Sequence, residues 1–168
     1  VVYRILNSRA ATSCQRAVAW VGSEGEDDGG PVRSLEHGMT LDRFAVVLFS
    51  VAYELDIPRL VDMLERSGVP PLRTERGPDD PLVIVGGPLT QSNALPLGHF
   101  ADAVVMGEAE HALQTLLDVL ESDPDAAALA AALCDEPGFW VPAKHHDAVP
   151  DVLSVRGDAI PARGQWRS

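Results

Sequence analysis

Pro81–Pro88 reads PLVIVGGP: four consecutive apolar residues, Leu82 to Val85, ended abruptly by Gly86, Gly87 and Pro88. A run without polar alternation suits a strand covered by helices on both faces, the setting of a parallel strand in an α/β sheet. Further along, Ala103–Glu110, AVVMGEAE, has the same form, an apolar run that opens into a glycine. Glycine allows φ > 0 and carries no Cβ, so a ligand can approach main chain at the carboxyl edge of such a sheet, where open α/β folds bind. A tight strand-to-loop exit explains the same glycines equally well.

Working outward, Ala45–Phe49, AVVLF, is β-branched, apolar and bounded by Ser50, which predicts a second buried strand. Asp56-Ile57-Pro58 supplies a helix N-cap and a proline in the first turn. Leu60, Val61, Met63 and Leu64 then form one apolar stripe up to the stop at Ser67-Gly68. With the polar turn Thr74–Asp80, this is a β–α–β crossover that ends in PLVIVGGP. The alternation continues with a short helix over Asn93–Phe100, a third strand over Ala103–Met106 and an amphipathic helix over Glu108–Leu120. A further helix over Asp125–Leu133 follows, then an extended segment at Gly138–Pro142, GFWVP.

Upstream, Val1–Asn7 reads as the tail of a helix, Arg16–Val21 as a short strand and Gly22–Pro31 as a polar, glycine-rich loop. The chain begins inside an amphipathic pattern and a helix of this kind wants a strand before it, so the reading expects the first strand of the sheet to be missing. From Lys144 the pattern dissolves. Asp151–Val155 is expected as an edge strand, and Arg156–Ser168 has the glycine, proline and arginine content of a linker. One α/β domain over 1–142 and a linker over 143–168 is the resulting organisation.

Composition excludes several classes of function. The 168 residues carry 13 Lys and Arg against 25 Asp and Glu, a formal net charge of −12. No basic stripe exists to neutralise phosphates, so nucleic acid and anionic membrane are not expected as direct partners. No window approaches the ~20 apolar residues of a membrane span. The two cysteines, Cys14 and Cys134, lie far apart and in no metal-ligand spacing. Two buried thiols in a reducing compartment give a cytoplasmic expectation. His145-His146-Asp147 invites a metal reading, but adjacent side chains diverge in an extended chain and no third ligand is near. No nucleophile elbow, Walker loop or dinucleotide fingerprint is present.

The order of motifs resembles the cobalamin-binding-type domain that precedes the catalytic barrel in many radical S-adenosylmethionine (SAM) proteins. The residues that carry it are the serine-ended strand VVLFSVAYE (Val46–Glu54), VIVGGP (Val83–Pro88), Asn93–Leu97 in the place of an N-P-E-P-L-like segment, and DAVVMGEAE (Asp102–Glu110). It is most similar to an uncharacterised subgroup with segments like VYRILNSR, RSLEHG and GFWVP, and covers Val2 to about Pro142. The resemblance implies a flavodoxin-like three-layer sandwich with a mostly parallel sheet. It implies a module that binds a cobalamin-type cofactor and is not catalytic alone, truncated before the iron–sulfur motif. A radical SAM catalytic domain would be its partner in the full-length protein, with S-adenosylmethionine and a [4Fe–4S] cluster belonging to that parent enzyme.

In cobalamin-binding relatives a serine in the place of Ser50 hydrogen-bonds the corrinoid's nucleotide tail, and a glycine pair in the place of Gly86-Gly87 lets it pass. The implied cofactor-binding set is Ser50, Tyr53, Glu54, Gly86, Gly87, Pro88, Gly107 and Glu108. Capping of a helix start accounts for Glu108 and Glu110 without a ligand, and a loop-to-helix entry accounts for Tyr53-Glu54. The chain departs from the pattern in lacking D-x-H-x-x-G, the motif whose histidine replaces the lower cobalt ligand. His37, His99, His111, His145 and His146 stand in other settings. It also lacks the three cysteines that leave one cluster iron open, so radical chemistry is not expected of this chain. The alternative role is a ligand-free docking domain that packs on the radical SAM barrel or on a partner.

Overall fold

The computed structural model describes residues 2–18, 29–107, 109–122 and 125–150. Strand β1 (Val46–Ser50) leads through α2 (Ile57–Arg66) to β2 (Leu82–Gly86), and β2 leads through short 3-10 turns to β3 (Ala103–Val105). Helix α1 (Val2–Leu6) precedes these elements. Helices α3 (Ala109–Leu120) and α4 (Ala126–Leu133), strand β4 (Phe139–Trp140) and the one-turn helix α5 (Pro142–His145) follow. The sheet order is β1-β2-β3-β4, with β1, β2 and β3 parallel and β4 antiparallel to β3. This is an α/β fold with a mostly parallel sheet, as the alternation of apolar runs and helical stripes predicts.

Helices cover both faces because β2 is apolar at every position. Leu82 and Ile84 face a cluster with Leu113, Leu116 and Leu117 of α3 and Leu129 and Leu133 of α4. Val83 and Val85 face Leu60 and Leu64 of α2 together with Leu89, Leu97 and Trp140. Residues Leu82 to Val85 are all buried, so β2 is the central strand that the run without polar alternation implies.

One local expectation is corrected and three are refined. Among the described residues strand β1 is an edge strand: only Val47 is buried, Val46, Leu48 and Phe49 are half-buried and Ser50 is exposed. Of the strand expected over Arg16–Val21, Ala17 makes an antiparallel bridge to Ser34, and 19–21 lie outside the described residues. The short helix expected over Asn93–Phe100 is a 3-10 helix over Leu95–His99, with Pro96 in its first turn. GFWVP is more than an extended exit, since Phe139 and Trp140 pair with Val105 and Val104 and close the sheet. The Asp151–Val155 strand and the 156–168 segment lie outside the described residues.

A buried ion pair fixes the amino edge of the sheet. Arg76 Nη2 lies 3.0 Å from Asp102 Oδ2, with the two side chains 4% and 7% exposed. The same carboxylate oxygen accepts from the Val83 amide at 2.8 Å, while Arg76 also donates to the carbonyls of Pro70, Pro71 and Phe100. The polar turn before β2 is thereby tied to the residue before β3.

Candidate functional site

At the carboxyl edge the register places Ser50 beside Gly86. The chain leaving β1 is held by the chain leaving β2: the Val51 amide donates to the Gly86 carbonyl at 2.8 Å, and the Val51 carbonyl accepts from the Leu89 amide at 3.1 Å. Gly87 sits between them with φ 110°. A Cβ there would stand 2.6 Å from the Val51 carbonyl oxygen, 2.8 Å from its nitrogen and 3.1 Å from Ser50 Oγ. The space a glycine leaves is therefore taken up by the protein's own main chain. Pro88 starts the 3-10 turn that follows, and Gly107, φ 102°, lies at the same edge beyond β3.

Gly87→Ala is expected to cost about 1–3 kcal/mol through backbone strain and this contact. The loss is expected in a urea titration with no ligand present. An unchanged midpoint would show that the turn can open.

Tyr53 and Glu54 lie on the loop that leaves β1. Tyr53 is 71% exposed and Leu55 86%. Asp56 does not cap α2 with its side chain, as the sequence suggests; its carboxylate turns back to accept from the Ala52 and Tyr53 amides at 3.2 and 3.1 Å. The loop is thus closed on itself and presents its aromatic and leucine side chains outward. Glu108 lies outside the described residues. The structure brings Ser50, Gly86 and Gly87 together, keeps Tyr53 and Glu54 next to them and sets Gly107 further along the edge.

The free edge of β1 borders a groove of about 750 Å³. Ala45 and Val51 direct their backbone groups to β2, so by strand alternation those of Val46, Leu48 and Ser50 point the other way. Among the described residues no hydrogen bond is made to them. Val46, Leu48, Val2, Leu6, Leu117 and Val18 are among the groove's apolar walls, with Cys14 and Ser50 also in its lining. Burial, with a smaller contribution from the charge of Glu36, pushes the Cys14 thiol up, so it is present as an unreactive thiol at neutral pH.

A clasp beside the groove joins Arg16 and Glu36. The Arg16 amide donates to Glu36 Oε2 at 2.7 Å and its Nε to Oε1 at 2.8 Å. These bonds, the amide's first, hold the Glu36 carboxyl below the ordinary carboxylate range. A depressed carboxyl stabilises the fold above its unfolded pKa and loses that contribution as the pH falls through the folded one. Protection of the Arg16 amide is accordingly expected at neutral pH and is expected to disappear in acid. In Glu36→Gln the protection is expected to be weaker and independent of pH over the same range.

The family model described as radical SAM proteins, N-terminal, matches residues 1–142. The chain belongs to the radical SAM N-terminal domain family. No curated protein and no solved structure matches it significantly. The family match spans every strand of the sheet and stops at the start of α5.

Against the requirements of a corrinoid, the carboxyl edge of this radical SAM N-terminal domain meets one and leaves others unmet. Ser50 offers a hydroxyl with no hydrogen-bond partner among the described residues at the strand end, which suits a nucleotide tail. The Gly87 space is filled by Val51. Among the described residues no group of three or more His, Cys, Asp and Glu side chains forms a metal site. His145 is engaged at both ring nitrogens, accepting from the Val141 amide at 3.0 Å and lying 2.8 Å from the Cys134 carbonyl. No helix among those residues is long and apolar enough to cross a membrane.

Sequence reasoning missed the Arg76–Asp102 pair, the fit of Gly98 against Trp140 and the groove. A weak signal existed for the first: an aspartate placed directly before an apolar strand needs a partner. The groove has no linear signature, because its walls come from α1, the segment around Cys14, β1 and α3.

Proposed function

We propose that this radical SAM N-terminal domain is a non-catalytic docking module that packs on the catalytic domain of its parent radical SAM protein through the free edge of β1 and the adjoining groove. The observation that carries this reading is the apolar edge strand whose Val46, Leu48 and Ser50 backbone groups have no partner among the described residues. Such an edge is an open template for pairing, and nothing charged on β1 blunts it. Membership of an N-terminal domain family supplies the occupant, since a catalytic domain is joined to such a domain in one protein.

Hydrogen exchange on the isolated chain and on the full-length parent protein tests it. In the isolated chain the Val46, Leu48 and Ser50 amides are expected to exchange fast and the Val47 and Phe49 amides slowly. In the full-length protein all five are expected to be slow. Fast exchange of the outward set in both would overturn the docking role.

A second reading, capture of a cobalamin-type cofactor by its nucleotide tail, is favoured by the free Ser50 hydroxyl at the groove. Ser50, Gly86, Gly87, Pro88, Gly107, Tyr53, Glu54 and Glu108 would surround it. Saturable change in the absorbance of hydroxocobalamin on titration with the chain, abolished by Ser50→Leu, is the expected result. Gly87 variants do not serve as the test, because they act on the fold itself.

A further inference from the structure

Beyond the family match the chain does not run free. Pro142 is buried at the start of α5, and the His145 ring joins three elements. Its Nδ1 accepts from the Val141 amide, which leaves the proton on Nε2 to donate to the Cys134 carbonyl at the end of α4. The next residue, His146, has φ 51° and ψ −127°, a left-handed conformation that favours glycine, and it is the one non-glycine residue with positive φ among those described. A strained residue persists only where its surroundings over-determine it. Here the His145 ring grips one side and the Trp140 indole donates to the His146 carbonyl at 3.1 Å on the other. Ala148 then donates back to the His145 carbonyl, and Val149 packs on the core cluster that holds Trp140, Leu60 and Leu97.

We propose that Pro142–Val149 is a strained latch that sets the direction in which the polypeptide leaves the domain. It holds the outgoing chain against the core cluster on the α2 side of the sheet, so whatever follows is placed with respect to that core. This inference is independent of the docking and cofactor readings, since it concerns only how the outgoing chain is fastened.

Limited proteolysis of the intact chain with trypsin tests it at Lys144, which is exposed but lies inside α5. Cleavage after Lys144 requires the latch to open. His145→Ala is expected to speed that cleavage at least tenfold and to abolish exchange protection of the Val141 amide, while the β2 and β3 amides keep theirs. His146→Gly is the discriminating variant. Glycine relieves the strain, so cleavage is expected to slow several-fold, whereas in a plain linker added glycine freedom would leave it unchanged or faster. Unchanged or faster cleavage in His146→Gly would overturn the proposal. So would an unchanged rate in His145→Ala, or loss of β2 and β3 protection in both His145→Ala and Val149→Asp, which would make the segment part of the core.

Discussion

Trp140→Ala is expected to lower the stability of the domain by about 3–5 kcal/mol, a large part of the ~5–15 kcal/mol typical of a domain. Trp140 is 1% exposed and is the largest fully buried side chain among the described residues. It lies in the cluster of Leu60, Val85, Leu97 and Val104 between the sheet and the turns that follow β2. Gly98 is shaped to it, since a Cβ on Gly98 would stand 2.6 Å from the indole Cη2. Truncation removes that packing and leaves the His146 carbonyl without its donor. A fall in Tm of about 6–20 °C is expected for a chain of this size.

Two companion variants make the Trp140 account specific. Trp140→Phe keeps a ring against Gly98 and loses the indole donor, so its loss is expected to fall well short of that of alanine. Gly98→Ala fills space already occupied and is expected to cost about 1–3 kcal/mol by overpacking. A neutral Gly98→Ala in a urea titration would mean that the indole can move aside, and the case for a rigid fit would fail.

Asp102→Ala is expected to cost a similar amount, about 3–5 kcal/mol, for a different reason. Removing the carboxylate leaves the Arg76 guanidinium buried with only carbonyls for company, and leaves the Val83 amide without an acceptor. The pair is worth less than the cost of breaking it, because both charges were desolvated to form it. The double variant Arg76→Met with Asp102→Ala is therefore expected to be clearly more stable than the sum of the two single losses predicts. Simple additivity in a double-mutant cycle would show that the two side chains act separately and that the turn before β2 is held by Arg76's carbonyl contacts alone.

Much of the sheet is legible in single stretches. Leu82–Val85 has no polar residue, and a strand with two apolar faces must be covered twice, so a central parallel strand with helices on both sides follows from that run alone. Asp125 before an alanine-rich run predicts a helix, and its carboxylate does accept from the Ala128 amide at 2.7 Å. The strand VVLF is equally apolar to the eye but ends up at an edge. Burial of β1 depends on what lies beside it, and periodicity is silent on neighbours. Gly98 looks like a loop residue until Trp140, far along the chain, is placed against it.

The candidate site divides in the same way. Sequence alone determined that the chain is an acidic α/β domain with strand-end residues Ser50, Gly86 and Gly87, because strands and turns are written in local side-chain type. It also determined that two distant cysteines cannot furnish the three thiolates of a radical SAM cluster. Only the tertiary structure shows what stands against Gly87. A glycine's missing side chain reads as room for a ligand, but the room is filled by the Val51 main chain arriving from a different strand. It likewise decided that the backbone groups of Val46, Leu48 and Ser50 point away from β2 with no partner among the described residues, and that Pro142–Val149 folds back on the domain. Each depends on contacts between segments far apart in sequence, whose energies arise from packing and backbone pairing and leave no periodic trace in the linear order of residues.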